Sequence, residues 1–352
     1  MRAFEPNYQN LVDAAHNRMP KRLPLYDHSV DVSRLELALD KKFADLQWGD
    51  DADRLEFFRN YCEGFRVLGY DAVSFEGCIG PAMPDSGSLG GHKDGVIKDR
   101  EDFEKYPWDE IFDRYWAMYD KHFQSLREAM PAGMKAYGGP GNGIFECVQD
   151  IVGYMDLCYI KADDEELYAD LFKKVGEVNT KIWERFADEY ADLYCIFRFG
   201  DDLGFKNATL LPATDIRELI IPQYARIVSI AHKHGRPFLL HSCGEIREVM
   251  DDIIDVAKID AKHSNEDQIA LFPEWVEQYG DRIGLFGGVD TNALCNPNLD
   301  EIQAYMDDLL AKVGDQPGVA IGCGNSIPAY VPFEGYCTMN RAVREYRGDY
   351  KD

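Results

Sequence analysis

Eight short apolar runs recur along the chain, separated by long amphipathic stretches, and this alternation limits the possible folds more than any other feature. The runs are PLYDHS from Pro24, DAVSFE from Asp71, MKAYGG from Met134, CIFRFGD from Cys195, FLLHSC from Phe238, IDAKHS from Ile259, IGLFGG from Ile283 and VAIGCG from Val319. Runs of this length and composition, bounded by turn-forming residues, have the signature of buried strands. Between them the pattern predicts helices over 108–130, 144–160, 165–190, 215–234, 246–256, 267–279, 300–313 and 334–346. Pro131 and Gly133 stop the first of these, and Gly235 is placed to end the fourth.

Strands that alternate with helices pair in parallel, because a parallel neighbour can be reached only by a crossover. Eight such units suggest an α/β fold of the (β/α)₈ barrel type. The 352 residues are enough for one barrel with insertions, since such a barrel takes about 250 residues. An open doubly wound sheet is the competing arrangement, but no G-x-G-x-x-G turn follows the first run. No Ser/Pro-rich linker or low-complexity segment interrupts the chain. A single domain over 1–352 is therefore expected, with about 1–20 as an N-terminal helical extension.

Composition narrows the function. Apolar residues make up 45% and aromatics 12%, enough for a large core and incompatible with a disordered chain. The 38 basic residues stand against 63 acidic ones, a net charge of −25. Such a surface is poorly suited to nucleic acid or an anionic membrane. No run approaches the roughly 18 apolar residues of a spanning helix, and the first residues lack a signal-peptide core. A cytoplasmic location is expected. The nine cysteines are an odd, scattered set, which points to metal binding or buried thiols rather than a disulfide framework.

A barrel places its chemistry at the C-terminal ends of its strands. Those ends carry Asp27 and His28, Glu76, a glycine run (Gly138, Gly139, Gly141, Gly143), Asp201 and Asp202, His241 and Cys243, His263, Asp290, and Cys323 with Asn325. The sharpest feature is His241-Ser242-Cys243 with Cys323 further on. Strand residues i and i+2 share a face, so His241 and Cys243 point the same way. One imidazole and two thiolates make a three-ligand zinc set with one open position, as in catalytic sites. The alternative is a satisfied core histidine and two inert buried thiols. Glu76 or Glu146 would supply a fourth ligand in the absence of substrate. Asp201 and Asp202 would orient or protonate a substrate, or form a helix-entry turn. Asp290 would bind substrate or cap the next helix, and His263 would line the pocket or be a satisfied strand-end residue. GGPGNG lacks the Gly-Lys-Ser/Thr ending of a phosphate loop and is read as letting a bulky cofactor approach. Cys62, Cys78, Cys147, Cys158, Cys195, Cys295 and Cys337 are read as ordinary thiols.

The segments HSCGEIREVMDDIIDVAKIDAKHSNEDQ, GLFGGVDTNALC and GCGNSIPAYVPFEGYCTMNRAVREY resemble the C-terminal half of the uroporphyrinogen decarboxylase superfamily. FRFGDDLGFKNATLLPATDIRELIIPQYARI resembles its central stretch, GGPGNGIFECVQDIVGYMDL does so more loosely, and the first hundred residues only weakly. The resemblance implies a (β/α)₈ barrel. It also implies membership of the corrinoid-linked methyltransferase branch, whose His-x-Cys and late Cys zinc ligands carry over to His241, Cys243 and Cys323. The decarboxylases lack zinc and hold a polycarboxylate substrate with an N-terminal Arg pair. The corresponding stretch here, PLYDHSVDVSR, lacks that pair and offers Asp27, His28 and Asp31. The resemblance therefore implies a zinc-dependent O-demethylase component that moves methyl from a methoxylated, aromatic donor to the Co(I) corrinoid (cobalamin) of a partner protein. Asp202, Asp290 and Glu76 would be catalytic, and Asp201, Gly139 and Asn325 would meet the corrinoid. No Asp-x-His-x-x-Gly cobalamin motif occurs, so the corrinoid is expected on a separate protein, and a homodimer is compatible with this reading. A methylcobamide:thiol methyltransferase, a decarboxylase and a non-catalytic zinc or ligand-binding protein are the alternatives.

Overall fold

The computed structural model describes residues 4–91 and 93–350. Seven of the eight runs are strands that pair in parallel and in chain order: β1 Val73–Cys78, β2 Ala136–Gly141, β3 Tyr194–Gly200, β4 Phe238–His241, β5 Ala261–His263, β6 Gly284–Val289 and β7 Val319–Cys323. The sheet curls, with helices covering its outer face. The Pro24 run lies along the β7 edge, where Tyr26 N donates to Ile321 O and Ile321 N to Pro24 O, both at 3.0 Å. It forms an isolated bridge and not a strand. The reason lies on its other side. Ser74 Oγ and Arg198 Nη1 donate to His28 O at 2.5 and 2.6 Å, and Tyr137 Oη donates to Asp27 O at 2.8 Å. Side chains take the carbonyls that a strand ladder would use. The result is the expected α/β, TIM-barrel-like fold, with one seam stitched by side chains.

Ser74 and Glu76 of β1, Arg198 of β3, His241 of β4 and His263 of β5 point into the barrel, while Phe75, Phe197, Phe199 and Leu240 join the larger core. The helix Gln9–Ala15 plugs the N-terminal end of the barrel. Its Leu11, Ala14 and Ala15 pack with Tyr26, Ala72, Ile196, Leu239, Phe286 and Ala320. A Cβ on Gly284 would come within 2.5 Å of Ala14 O, so that position must be glycine for the plug to seat. Polar chemistry is left to the C-terminal mouth.

The helices depart from expectation in instructive places. Two, Val32–Leu39 and Asp51–Leu68, fill the first crossover, where none was expected. The second carries a capping box, Asp50 with Asp53, and buries Phe57, Phe58, Tyr61, Cys62 and Phe65. The 144–160 pattern breaks at Gly153, whose φ is +84°, giving Ile144–Val152 and Tyr154–Asp163. The 215–234 pattern contains a π-helical stretch, Ile216–Ile220, next to Pro222. Proline has no N–H to continue an α ladder, so the turn widens there. Among the described residues no helix is long and apolar enough to cross a membrane.

Candidate metal centre

The site is assembled by two strand ends held unusually close. Past β3 and β4 the chain backbones touch: a Cβ on Gly244 would lie 2.1 Å from Gly204 C, and one on Gly204 would lie 2.7 Å from Glu245 N. Backbone bonds lock the pair, Asp201 N to His241 O (2.9 Å), Gly204 N to Cys243 O (3.2 Å) and Glu245 N to Phe205 O (2.6 Å). Asp202 is thereby set beside His241 and Cys243, and Cys243 N donates to Asp202 Oδ1 at 2.9 Å.

Three electron-rich atoms converge there. Cys243 Sγ is 3.4 Å from His241 Nε2, Asp202 Oδ1 is 3.6 Å from the same nitrogen, and all three ligand atoms lie within 4.8 Å of one another. Zinc bonds of about 2.0–2.2 Å to N and O and 2.3 Å to S, at tetrahedral angles, put N and S roughly 3.6 Å apart and N and O roughly 3.4 Å apart. The spacing therefore suits a single zinc ion.

The state of His241 follows from a chain of contacts behind it. His263 Nε2 is 2.9 Å from Cys323 O, a carbonyl that can only accept, so this nitrogen carries a proton. His263 Nδ1 is 2.7 Å from His241 Nδ1. Burial holds both imidazoles well below the usual histidine range, hence neutral. His263 Nδ1 is then the acceptor, His241 Nδ1 the donor, and His241 Nε2 presents a lone pair toward Cys243 and Asp202. Such a rear hydrogen bond is the usual orienting partner of a metal-ligating histidine. His28 also lies near, its ring 3.9 Å from that of His241. The set His28–His241–His263 is close enough to be considered as a metal site. However, a 2.7 Å nitrogen pair is a hydrogen bond, shorter than two ligands on one tetrahedral zinc would be.

Cys323 is adjacent but outside this cluster. Its sulfur is 3.1 Å from Thr291 Oγ1 and 3.5 Å from Ser326 O, and Asn325 N donates to it at 3.5 Å. Asn325 Nδ2 reaches Cys243 Sγ at 3.3 Å, so Asn325 spans the two sulfurs. Burial pushes Cys323 up to about 12 and raises Cys243 as well, so without a metal both are thiols.

The remaining candidates divide. Glu76 accepts from fully buried Arg198 at 2.7 Å and lies 3.5 Å from His28 Nε2. Burial alone would raise it, but Arg198 and then His28 outweigh this and hold it at about 2. Glu146 accepts from Asn142 Nδ2 (2.9 Å) and Asp202 N (3.2 Å), one step behind Asp202. Burial and the neighbouring Asp201 and Asp202 push it well above the carboxylate range. Asp201 faces the surrounding helices and accepts from Phe145 N, Glu146 N and Tyr224 Oη at 3.0, 2.7 and 2.5 Å, binding the first turn of the helix Ile144–Val152. Asp290 caps a short helix through Asn292 N (2.8 Å) and accepts from Asp267 N (3.0 Å). Gly139 faces the helix Glu165–Tyr190, where a Cβ would lie 2.8 Å from Trp183 and 2.9 Å from Phe186. The structure therefore places Asp201, Asp290 and Gly139 in packing and capping contacts. It gathers Asp202, His241, Cys243, Asn325, Cys323 and Glu76 around the mouth.

Sequence reasoning passed over Arg198, Asp27 as an anchor, and Lys262. Asp27 is fully buried, bonds Tyr70 Oη, and accepts from Cys323 N at 2.7 Å; burial raises it to about 7. Lys262 is buried with its ammonium bonded to Ser264 O and 4.0 Å above the Trp275 ring, and burial lowers it to about 7. Inward parity from Ile196 and Gly200 was the available signal for Arg198.

The family model for uroporphyrinogen decarboxylase (URO-D) matches residues 94–346. The chain belongs to the uroporphyrinogen decarboxylase family. No curated protein matches the sequence. Among solved structures, a methyltransferase from Methanosarcina mazei is similar at a TM-score of 0.67 and 16% identity, over 96% of this chain and 98% of that one. A candidate vitamin-B12 independent methionine synthase from Listeria monocytogenes is similar at 0.48 and 13%, over 94% and 99%. At such identities only the first likeness is informative, and what it shows is the family's barrel fold.

Proposed function

We propose that this family member is a zinc-dependent methyltransferase that takes methyl from a methoxylated, aromatic donor and passes it to the Co(I) corrinoid of a partner protein. The observation that carries this reading is His241 Nε2 standing 3.4 Å from Cys243 Sγ, a donor pair suited to zinc at the mouth of the barrel. Arg198, the cation inside the barrel, is already paired with Glu76, which argues against a substrate bearing many carboxylates. The methyltransferase likeness in fold agrees with the reading.

His241 and Cys243 would hold the ion, with Cys323, which lies next to them and is joined to Cys243 through Asn325, as the third ligand. Zinc bound by two thiolates would act as a moderate Lewis acid, enough for a phenolate leaving group. The chain's own contribution is orientation. His263 fixes the face of His241, Asn325 donates to Cys243 Sγ, and Thr291 Oγ1 contacts Cys323 Sγ.

The test mixes the zinc-loaded protein with a corrinoid protein reduced to Co(I) and a panel of methoxyarenes. The expected result is the spectral change to methyl-Co(III), lost in His241→Ala. A reaction seen only with a thiol and methyl-Co(III), regenerating Co(I), would refute demethylation and establish thiol methylation.

A further inference from the structure

We propose that Asp202 is itself a metal ligand, the one that fills the fourth position and yields it to the substrate. This rests on the zinc reading above and goes beyond it, because that reading leaves the fourth position open. Glu76 and Glu146, the carboxylates considered from sequence, are engaged elsewhere: Glu76 with Arg198 and His28, Glu146 with Asn142 and the backbone of Asp202. Asp202 Oδ1 instead lies 3.6 Å from His241 Nε2, close to the spacing of two ligands on one tetrahedral ion.

The placement is built into the backbone. The Gly204–Gly244 contact brings the loop after β3 against the loop after β4, and Cys243 N–H holds Asp202 Oδ1 at 2.9 Å. Neither glycine tolerates a side chain at these distances, so Asp202 is locked beside Cys243. Chemistry agrees: an imidazole nitrogen, a cysteine sulfur and a carboxylate oxygen are all zinc donors, and these three lie within 4.8 Å of one another. Exposure assigns the order of exchange. The His241 side chain is 7% exposed and that of Asp202 is 42% exposed. A ligand arriving through the mouth therefore meets Asp202 first, and the Cys243 N–H retains the carboxylate once it is displaced.

Zinc affinity, measured by competition with a chromophoric chelator, tests this without any methyl transfer. The visible spectrum of the Co²⁺-substituted protein is the second readout. Wild type is expected to bind about one zinc per chain. Asp202→Asn is expected to bind it at least tenfold more weakly, with a shifted Co²⁺ spectrum and unchanged circular dichroism. Asp202→Glu, which keeps the carboxylate, should recover part of the affinity, and it decides the matter if the Asn variant does not fold. Wild-type affinity and spectrum in Asp202→Asn would overturn the proposal while leaving the zinc reading intact. Wild type that binds no zinc would overturn both.

Discussion

Replacing Arg198 by Met keeps the reach of the side chain and deletes its charge. Arg198 is fully buried; it donates to Glu76 at 2.7 Å and to His28 O at 2.6 Å, and so joins β3, β1 and the closing segment. In the variant Glu76, whose side chain is 17% exposed, keeps its burial and loses its cation. With Arg198 present the Glu76 carboxyl is held at about 2 against an ordinary 4.5, despite burial that acts the other way. At 1.36 kcal/mol per pH unit that difference is roughly 3 kcal/mol. It agrees with the ~3–5 kcal/mol typical of removing one partner of a buried ion pair. The folded value is depressed, so this stabilisation is fully present above pH 4.5 and is lost as pH falls through about 2. Urea denaturation at pH 7 should therefore show a loss of about 3 kcal/mol in Arg198→Met. The acid limb of its stability profile between those values should flatten. Adding Glu76→Gln removes the stranded charge and should recover at least half of the loss. A loss below about 1 kcal/mol, the range of an exposed pair, or a double variant no more stable than the single one, would refute the argument.

Two further outcomes follow. His263→Phe deletes the acceptor that fixes the His241 tautomer, so zinc affinity should fall by about 10–100-fold with the fold intact; unchanged affinity in the chelator competition would show that the histidine chain plays no part. Gly139→Ala combines a φ of +129° with a Cβ 2.8 Å from Trp183; it should cost about 2 kcal/mol or more, seen as a lower melting temperature, while zinc per folded chain stays at the wild-type value.

Seven of the eight strands, and most helices after residue 108, were legible because apolar period and turn residues act locally. Asp201 and Asp290 show where that reading stops. Both are acids at strand ends, chemically indistinguishable in sequence from Asp202. One accepts from two backbone N–H groups and Tyr224, the other caps a helix, and only Asp202 turns toward His241. The side chain's neighbours come from elements distant in the chain, and nothing local encodes them.

The sequence by itself determined the α/β alternation and the parallel pairing of the strands, consequences of strand periodicity and short-range turns, and it put His241 at a strand end with Cys243 just beyond it. Only the tertiary structure decided three other matters. The Pro24 segment closes the barrel through Ser74, Tyr137 and Arg198 rather than through a ladder, because interior side chains reach its carbonyls first. The protonation pattern of His241 depends on His263 and, through it, on Cys323 O, contacts that exist only once β4 to β7 are assembled in one curled sheet. Asp202 joins the donor set because two glycines let two backbones touch, a contact between residues 40 positions apart (204 and 244) that no pattern in either segment announces.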